Sequence, residues 1–277
     1  MALSGEEKPL FLIRRIIIGL LFLQSGISSA VVAQEITGFV AIVMDDLGND
    51  LVIGEQVIAM PYDLTYSFLP HTKYSLSLSR QALKKNKEIM LHLPMEPINN
   101  KNMGPGGLNV SMPRQQFVEI IRQDIQAIPG VIGINNHMGS LLTQNSLQMQ
   151  WLMEELKGSD NFYFVDSRTH SSSVAADQAR AFRVPTASRD IFLDHVVSES
   201  DIDFQFQRIL KRVNNVGYAL AIGHPHKITL DALKSWLPRL KAEGIKIVSV
   251  SRFISLKESR RLLWQASLSR SHKVVKN

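Results

Sequence analysis

The sequence lacks cysteine altogether. That absence excludes disulfide bonds, thiolate nucleophiles, thiol redox chemistry and the cysteine-rich class of zinc sites. The fold must therefore rest on its hydrophobic core, which a chain of 277 residues with 45% hydrophobic residues is long enough to build. Any catalytic or metal-binding site has to use histidine, aspartate and glutamate.

A hydrophobic run of membrane-spanning length is also missing. The apolar run Ile16–Leu23 is shorter than the roughly 20 residues that a spanning helix needs. Basic residues precede it and small residues follow as far as Ala33, which is the layout of a signal peptide. We expect cleavage after Ala30 or Ala33, with an uncleaved N-terminal anchor over residues 1–33 as the alternative. The mature chain would then be exported to the periplasm or secreted, without a membrane span.

The net charge is only mildly positive. It is +6 for the whole chain, and residues 1–33 contain three basic and two acidic residues, so that +5 remains without them. Part of the excess lies in a basic C-terminal tail, residues 256–277, for which a solvated, partly frayed helix is favoured over a dedicated binding arm. This excess permits weak attraction to anionic envelope polymers, but nothing resembles a nucleic-acid-binding motif, so nucleic acid is not an expected partner.

Short apolar segments alternate with helix-length amphipathic segments over residues 34–255. This pattern is typical of parallel strands with helices packed outside them. We therefore predict an α/β fold, a single distorted (β/α) barrel of about seven parallel strands. The first strand, Gly38–Met44, is almost wholly apolar, as a strand buried on both faces should be. Further strands are predicted at 64–69, 88–93, 131–134, 162–165, 191–193, 218–222 and 246–250, and helices at 49–59, 75–87, 113–127, 146–156, 175–182, 204–213 and 229–242.

Residues 94–113 contain seven prolines and glycines, which predicts a long loop. Long loops in compact domains are often functional, and this one is a candidate wall of a substrate groove. The helix that follows should begin with Ser111 as its cap and Pro113 near the first helical position.

Polar residues that stand out in the sequence each sit at the end of a predicted strand: Asp45, Asp46, His92, His137, Asp166 and His224. In α/β barrels the carboxyl ends of the parallel strands open onto one face. Residues far apart in the chain therefore converge there, and we expect these side chains to form one pocket.

The types of residue in this pocket indicate metal-assisted hydrolysis. Each one has a plainer explanation when taken alone, since Asp45 and Asp46 could open a turn and His92 could be a satisfied core histidine. Together, two histidines and one carboxylate form a common hydrolytic zinc set that leaves a position for water. The second carboxylate can accept the water's proton, and a free histidine can return a proton to the leaving group.

Four further residues are candidates for binding or orienting the substrate. Asn136 lies beside His137 and can orient an imidazole. Asp166 and Arg168 place a charge pair near the same rim, where Arg168 could clamp a carboxylate or orient Asp45, although a plain surface ion pair is equally compatible. The fourth is Glu96, which follows His92 in the motif His-Leu-Pro-Met-Glu-Pro.

Five motifs together carry a family resemblance: residues 44–48 (Met-Asp-Asp-Leu-Gly), 92–97, 135–140 (Asn-Asn-His-Met-Gly-Ser), 164–169 and 223–225 (Gly-His-Pro). In this order, over about residues 38–253, the chain resembles the divergent polysaccharide deacetylases, which are relatives of the NodB-type carbohydrate esterases. The resemblance implies a distorted seven-stranded (β/α) barrel, a divalent metal that is usually zinc, and amide or ester deacylation of a glycan.

The resemblance also implies roles for individual residues. Asp45 would be the general base, Asp46 and His92 metal ligands, and His224 the general acid. The chain departs from the NodB pattern where a second metal-binding histidine usually follows the first, because Glu96 stands in that region. The Arg-Pro-Pro-Tyr motif is replaced by the segment containing His137, and we infer that His137 supplies the missing imidazole.

Three functions remain open at the level of sequence. The first is a deacetylase acting on an envelope or extracellular polysaccharide, which Asp45 and His224 favour because pure binding needs neither a base nor an acid. The second is a metal-containing envelope protein that binds a glycan or a protein without turnover. The third is a metal-free glycosidase using Asp45 with Glu96 or Asp166, which would leave the three histidines unexplained.

Overall fold

One parallel sheet organises the part of the chain that the structure, a computed structural model, describes, namely residues 36–158 and 162–274 with side chains through Gln265. Its strands are β1 Gly38–Leu47, β2 Thr65–Phe68, β3 Glu88–Met95, β4 Val131–Met138, β5 Tyr163–Asp166, β6 Thr186–Ser188, β7 Ile191–Phe192, β8 Tyr218–Gly223 and β9 Ile245–Ile247. Their order is β6-β5-β4-β3-β2-β1-β8-β7, and β9 pairs with the first residues of β1. The sheet curls into an open barrel, so the expected fold is confirmed.

Helices follow most of the strands, as parallel connections require. They are α1 Leu51–Ile58, α2 Ser75–Lys84, α3 Arg114–Ala127, α4 Ser146–Lys157, α5 Ala175–Ala181, α6 Glu199–Val216, α7 Lys227–Ala242 and α8 Val250–Val274, and a short 3₁₀ turn spans Leu142–Gln144. Among the described residues no helix is both long and apolar enough to cross a bilayer. The signal-peptide prediction for residues 1–33 lies outside the described residues.

The sheet is buried on both faces because its residues alternate between two hydrophobic clusters. On β1, Phe39, Ala41 and Val43 point into the barrel, whereas Val40 and Ile42 belong to the cluster under the helices. The interior cluster is completed by Met90, Val165, Leu220 and Ile222 from other strands and by Val250 and Phe253 at the start of α8. Removing this apolar surface from water is the main stabilising contribution to such a core.

Three strands extend at least two residues beyond their predicted ends, and they carry polar residues at or near these last positions. β1 ends at Leu47, β3 at Met95 and β4 at Met138. The ladder continues because His92 pairs with Asn135 and Pro94 pairs with His137 across β3 and β4. The backbone of the site is therefore part of the sheet, which holds it more rigidly than a loop would.

Other local predictions were wrong. Ser111 does not cap α3, because its own amide and hydroxyl both donate to Oδ1 of Asn109, and Pro113 occupies the cap position. The strand β6 was missed because its sequence, Thr-Ala-Ser, has no apolar run and the strand is defined by its pairing with β5. The last predicted strand is shorter, since β9 ends at Ile247 and α8 begins at Val250, whose amide donates to Oγ1 of Thr65.

Candidate metal centre and active site

The alternation of side chains along the strands explains which polar residues meet. Three polar residues each lie two positions after an apolar residue of a strand, so the two side chains point to the same face of the sheet. Asp45 follows Val43 of β1, His92 follows Met90 of β3, and His224 follows Ile222 at the end of β8. Since Val43, Met90 and Ile222 face the barrel interior, the three polar residues face it too. Asn135 and His137 on β4 follow the same rule, and together these five side chains line the carboxyl end of the barrel.

Asp46 should point the other way, because it follows Asp45 directly in a strand. The register of β1 against β2 shifts between Met44 and Leu47, and Asp46 has a left-handed φ of 56°. A residue in this conformation interrupts the alternation and re-aims its side chain, as β-bulges do beside active sites. Non-glycine residues rarely adopt such a φ, and Asp is among those that tolerate it best. Both carboxylates thereby reach the same site.

Asp46, His92 and His137 bring one ligand atom each into a group in which all atoms lie within 4.8 Å of one another. Oδ1 of Asp46 lies 3.1 Å from Nε2 of His92 and 2.9 Å from Nδ1 of His137, and the two nitrogens are 3.2 Å apart. These three side chains, named the metal group below because they could hold an ion, come from β1, β3 and β4. Residues 46, 92 and 137 are therefore brought together by the sheet, as the sequence predicted.

The side chain of Asn135 fixes the orientation of His92. Its amide nitrogen donates to both carboxylate oxygens of Asp45, at 2.9 and 3.0 Å, so that its oxygen faces His92. Nδ1 of His92 donates to that oxygen over 2.9 Å, and Oγ of Ser67 donates to it over 2.6 Å. With its proton on Nδ1, His92 directs the lone pair of Nε2 towards Asp46 and His137. Partners of this kind orient the imidazole ligands of metals.

Oδ1 of Asp46 is buried but has no hydrogen bond of acceptable geometry within the described residues. An unpaired buried oxygen is costly, and one directed at two imidazole nitrogens fits a bound cation. Burial tends to raise the pKa of Asp46, but its contacts with His137 and His92 outweigh this and hold the pKa well below its usual range. Asp46 is therefore an ionised carboxylate, as a metal ligand must be.

His92 experiences the same two carboxylates. Burial tends to lower its pKa, but the charges of Asp45 and Asp46 raise it above the ordinary value. A cation bound at Nε2 would therefore compete with a proton for that nitrogen.

Asp45 behaves differently from its neighbour. It is 2% exposed, and burial raises its pKa, although His92 and His224 oppose this effect. Its Oδ2 lies 3.6 Å from Nε2 of His92. The pKa of Asp45 is thus raised and that of Asp46 is lowered. Asp45 is therefore the better proton acceptor of the two, and Asp46 stays ionised.

The ring of His224 is fixed by a hydrogen bond to Asp194, which was not among the residues predicted for the site. Nδ1 of His224 lies 2.9 Å from Oδ1 of Asp194, whose Oδ2 accepts the backbone amide of His224 and the hydroxyl of Thr229. Burial lowers the pKa of His224, but Asp194 and then Asp45 and Asp46 raise it to about 9. Nε2 lies 3.9 Å from Oδ2 of Asp46, at the edge of the metal group. The sequence did point to Asp194, because this residue directly follows the predicted strand 191–193, as the other predicted site residues follow theirs.

Two of the other predicted residues stabilise the surrounding loops. Oε2 of Glu96 accepts the amide of Val110 and fixes the base of the long loop. Asn136 points away from the barrel interior, where it donates to the carbonyl of Met138 and accepts the amide of Ser167. Neither side chain joins the metal group.

Asp166 and Arg168 also lie outside that group. The carboxylate of Asp166 accepts the amide of Arg168 and the hydroxyl of Ser173, and Arg168 is exposed with its guanidinium near the carbonyl of Ser171. Asn135, rather than Arg168, contacts Asp45. Arg189 bonds the carbonyls of residues 167 and 168 and so stabilises this turn.

A cleft of about 300 Å³ opens beside Asp46 and His137. Its walls are the turn after β2 (residues 69–72) and part of the long loop (residues 102–105), with Asn49 and Pro94 completing the lining. This cleft reaches the metal group, and a substrate that enters it would contact Asp46 and His137.

Several known proteins are similar to this chain. The family model for "Divergent polysaccharide deacetylase" matches residues 42–254. The uncharacterized protein YibQ of Escherichia coli K12 is 34% identical over 230 residues, which cover 83% of this chain and 70% of YibQ. An uncharacterized protein of Haemophilus influenzae is 32% identical over 210 residues, covering 76% of this chain and 74% of that protein.

Among solved structures, an uncharacterized protein from Agrobacterium tumefaciens C58 superposes with a TM-score of 0.74 at 23% identity. The superposition covers 78% of this chain and 89% of that one. This likeness supports the fold.

Proposed function

The chain belongs to the divergent polysaccharide deacetylase family, and from that membership we propose that it is a metal-dependent hydrolase that removes acyl groups, acetyl first of all, from a polysaccharide of the bacterial envelope. The observation that carries the proposal is the convergence of Asp46, His92 and His137 beside a buried carboxylate and a carboxylate-held histidine. A binding protein would need neither of the latter two.

The residues present fit a divalent cation. Asp46, His92 and His137 would hold it, and the unpaired Oδ1 of Asp46 together with the fixed orientation of His92 supports this assignment. We propose zinc, because two imidazoles and one carboxylate are a usual set for catalytic zinc. Such an ion, when bound, polarises an acyl carbonyl and makes a water molecule more acidic.

Asp45 and His224 would move the protons. The oxygen of the attacking water bonds to the acyl carbon while Asp45 takes a proton from that water. Burial raises the pKa of Asp45, which makes it a stronger base than an exposed aspartate. The bond from the acyl carbon to the sugar nitrogen or oxygen then breaks, and His224 supplies the proton that the leaving group needs.

Asp194 would keep His224 ready for this role. Its hydrogen bond to Nδ1 leaves Nε2 as the atom that faces the metal group, and its charge favours the protonated ring at neutral pH. The turn 167–169 and the long loop would then position the glycan.

We further propose that the protein works in the cell envelope. This rests on the sequence pattern of residues 1–33. Fractionation of cells producing the protein, with mass spectrometry of the exported form, tests it. A mature chain that starts near Val31 or Gln34 supports export with cleavage, and recovery of the uncut chain from the cytoplasm contradicts it.

The hydrolase itself is tested by measuring metal content and acetate release on the same preparations. Purified protein is analysed for bound metal and then incubated with acetylated chitooligosaccharides and with peptidoglycan fragments. We expect about one metal ion per chain and release of acetate.

Asp45→Asn should keep its metal and lose about 100-fold or more in turnover, because the base is gone while the ligands remain. Asp177→Asn, a change on the exposed outer face of α5, is the matched control and should be unaffected. Metal binding without acetate release from either substrate would contradict the hydrolase and favour a glycan- or protein-binding role.

A further inference from the structure

Asp124 is a fully buried carboxylate on α3, outside the metal group. Its Oδ1 lies 2.8 Å from Nε2 of His71, and its Oδ2 has no hydrogen-bond partner among the described residues. His71 itself is partly exposed, with 40% of its side chain accessible. A buried carboxyl group with one unpaired oxygen costs stability, and a group of this kind therefore needs an explanation.

Two residues close to Asp124, His71 and Gly106, lie next to the walls of the cleft beside Asp46. His71 stands between Pro70 and Thr72, which line one wall. Gly106 follows Pro105, which lines the other wall, and a Cβ built on Gly106 would overlap both oxygens of Asp124. The carboxylate therefore touches one residue next to each wall.

The backbone conformations at these two residues are specialised. His71 has a left-handed φ of 54°, which is unfavourable for a residue with a Cβ and turns its ring towards Asp124. Gly106 has a φ of 77°, and the missing side chain lets the loop backbone lie directly on the carboxylate. Two separate segments thus adopt uncommon conformations that bring them to the same oxygen atoms.

The base of the long loop is held elsewhere. Leu108 forms a bridge with Met95, and Glu96 accepts the amide of Val110. These contacts fix the residues that follow Gly106. Asp124 contacts the loop at Gly106, next to the part that faces the cleft.

We propose that Asp124 is a positioning residue, which fixes both walls of the substrate cleft through His71 on one side and Gly106 on the other and so sets the affinity for the acylated sugar. This inference rests on the proposed function for its substrate. It assigns no chemical step to Asp124, because the residue does not touch the metal group.

The test compares Asp124→Ala and His71→Ala with Asp124→Asn. An asparagine keeps the oxygen that accepts from His71, whereas either alanine removes the contact. Glu119→Gln, on the exposed face of the same helix, is the matched control. Each variant is assayed for KM and kcat of acetate release, for zinc affinity, and for hydrogen exchange of backbone amides in residues 69–75 and 102–110.

We expect both alanine variants to raise KM about tenfold, the cost of losing one buried hydrogen bond, with kcat and zinc affinity nearly unchanged. Asp124→Asn should restore KM to within about threefold of the wild type. Exchange should rise in both segments when either alanine is present, because Asp124 touches both segments and His71→Ala removes its hydrogen bond.

A fall in kcat with KM unchanged, or faster exchange confined to the segment nearest the substitution, would overturn the proposal. If the wild type releases no acetate, the proposed function fails, while exchange in the two segments still decides the positioning role. Should Asp124→Ala not fold, His71→Ala carries the same comparison, because His71 is partly exposed.

Discussion

At the scale of single residues, Asn135 connects the two halves of the site. One amide group donates to Asp45 and accepts from His92, so it sets both the position of the proposed base and the tautomer of a proposed metal ligand. From the sequence, the neighbouring Asn136 was predicted to orient an imidazole instead. The two adjacent asparagines are distinguished only by strand parity, which requires the exact register of β4.

We predict that Asn135→Ala weakens metal binding about 10- to 100-fold, because His92 loses the partner that orients it. The measurement is a titration of the metal-free protein with zinc against a competing chelator. Asn145→Ala provides the control, since Asn145 caps α4 and its loss should cost about 1 kcal/mol of stability without changing metal affinity. Equal affinities for the two variants would contradict the role of Asn135.

Residue types and strand ends were sufficient to predict Asp45, Asp46, His92, His137 and His224 as one group. They were not sufficient to predict how Asp46 enters it. A strict strand would direct Asp46 away from Asp45, and only the left-handed φ and the register shift bring it back. That conformation depends on the pairing of β1 with β2, which no local sequence signal records.

At the scale of elements, β4 and β5 approach closely at Gly133. A Cβ at this position would overlap the ring of Tyr163, whose hydroxyl donates to Glu88 over 2.8 Å. We predict that Gly133→Ala costs about 1–3 kcal/mol of unfolding free energy, because the ring must shift inside a packed core. Chemical denaturation measures this. Gly158→Ala, where the nearest atom would be 3.4 Å away, should change stability little, and equal losses would contradict the steric argument.

Helix α3 carries a pH-dependent contribution to stability at Asp124. Burial raises the pKa of Asp124 from 3.8 to about 8 in the folded protein. Between these values the folded state holds a proton that the unfolded state has released. The stabilisation that protonated Asp124 provides is therefore complete below about pH 4. It is lost as the pH rises to about 8, and the free energy of unfolding falls by about 1.4 kcal/mol per pH unit.

The measurement is the difference in unfolding free energy between wild type and Asp124→Asn from pH 5 to pH 9, since other titrating groups largely cancel in that difference. We expect the wild type to lose stability relative to the variant as pH rises, with a plateau above pH 8. Parallel curves would show that Asp124 is ionised throughout this range.

Element boundaries show where local signals fail. The capping preference of serine predicted Ser111 as the start of α3. Instead, the hydroxyl of Ser111 donates to the side-chain oxygen of Asn109 in a separate turn, and the helix begins after Pro113. The strand β6 has three residues and acquires its identity only by pairing with β5. Long apolar strands such as β1 were found readily, because burial on both faces leaves a continuous hydrophobic run.

At the scale of the whole molecule, the metal group joins β1 with β3 and β4, on the far side of β2. We predict that zinc raises the melting temperature, because binding to the folded state alone contributes about 2.7 kcal/mol when free zinc is at 100 times its Kd. Differential scanning fluorimetry with zinc and with a chelator measures the shift. His137→Ala should abolish it and His170→Ala should retain it, and an equal shift in both would place the stabilising zinc elsewhere.

The barrel class followed from the alternation of apolar strands and amphipathic helices. The order of the strands did not, since β1 pairs with β8 over residues 39–44, with β9 over residues 38–40 and with β2 over residues 43–47. Such long-range pairing is decided by packing of the complete sheet. The family resemblance supplied what periodicity alone could not.

The position of β1 between β2 and β8 has a consequence for how the chain is made. Phe39 pairs with Tyr218, so the first strand to leave the ribosome waits for one of the last before its second edge is covered. Until then a nearly continuous apolar strand is open to other chains. Nascent chains stopped before residue 218 should therefore associate with chaperones or aggregate, whereas release of the full chain closes that edge.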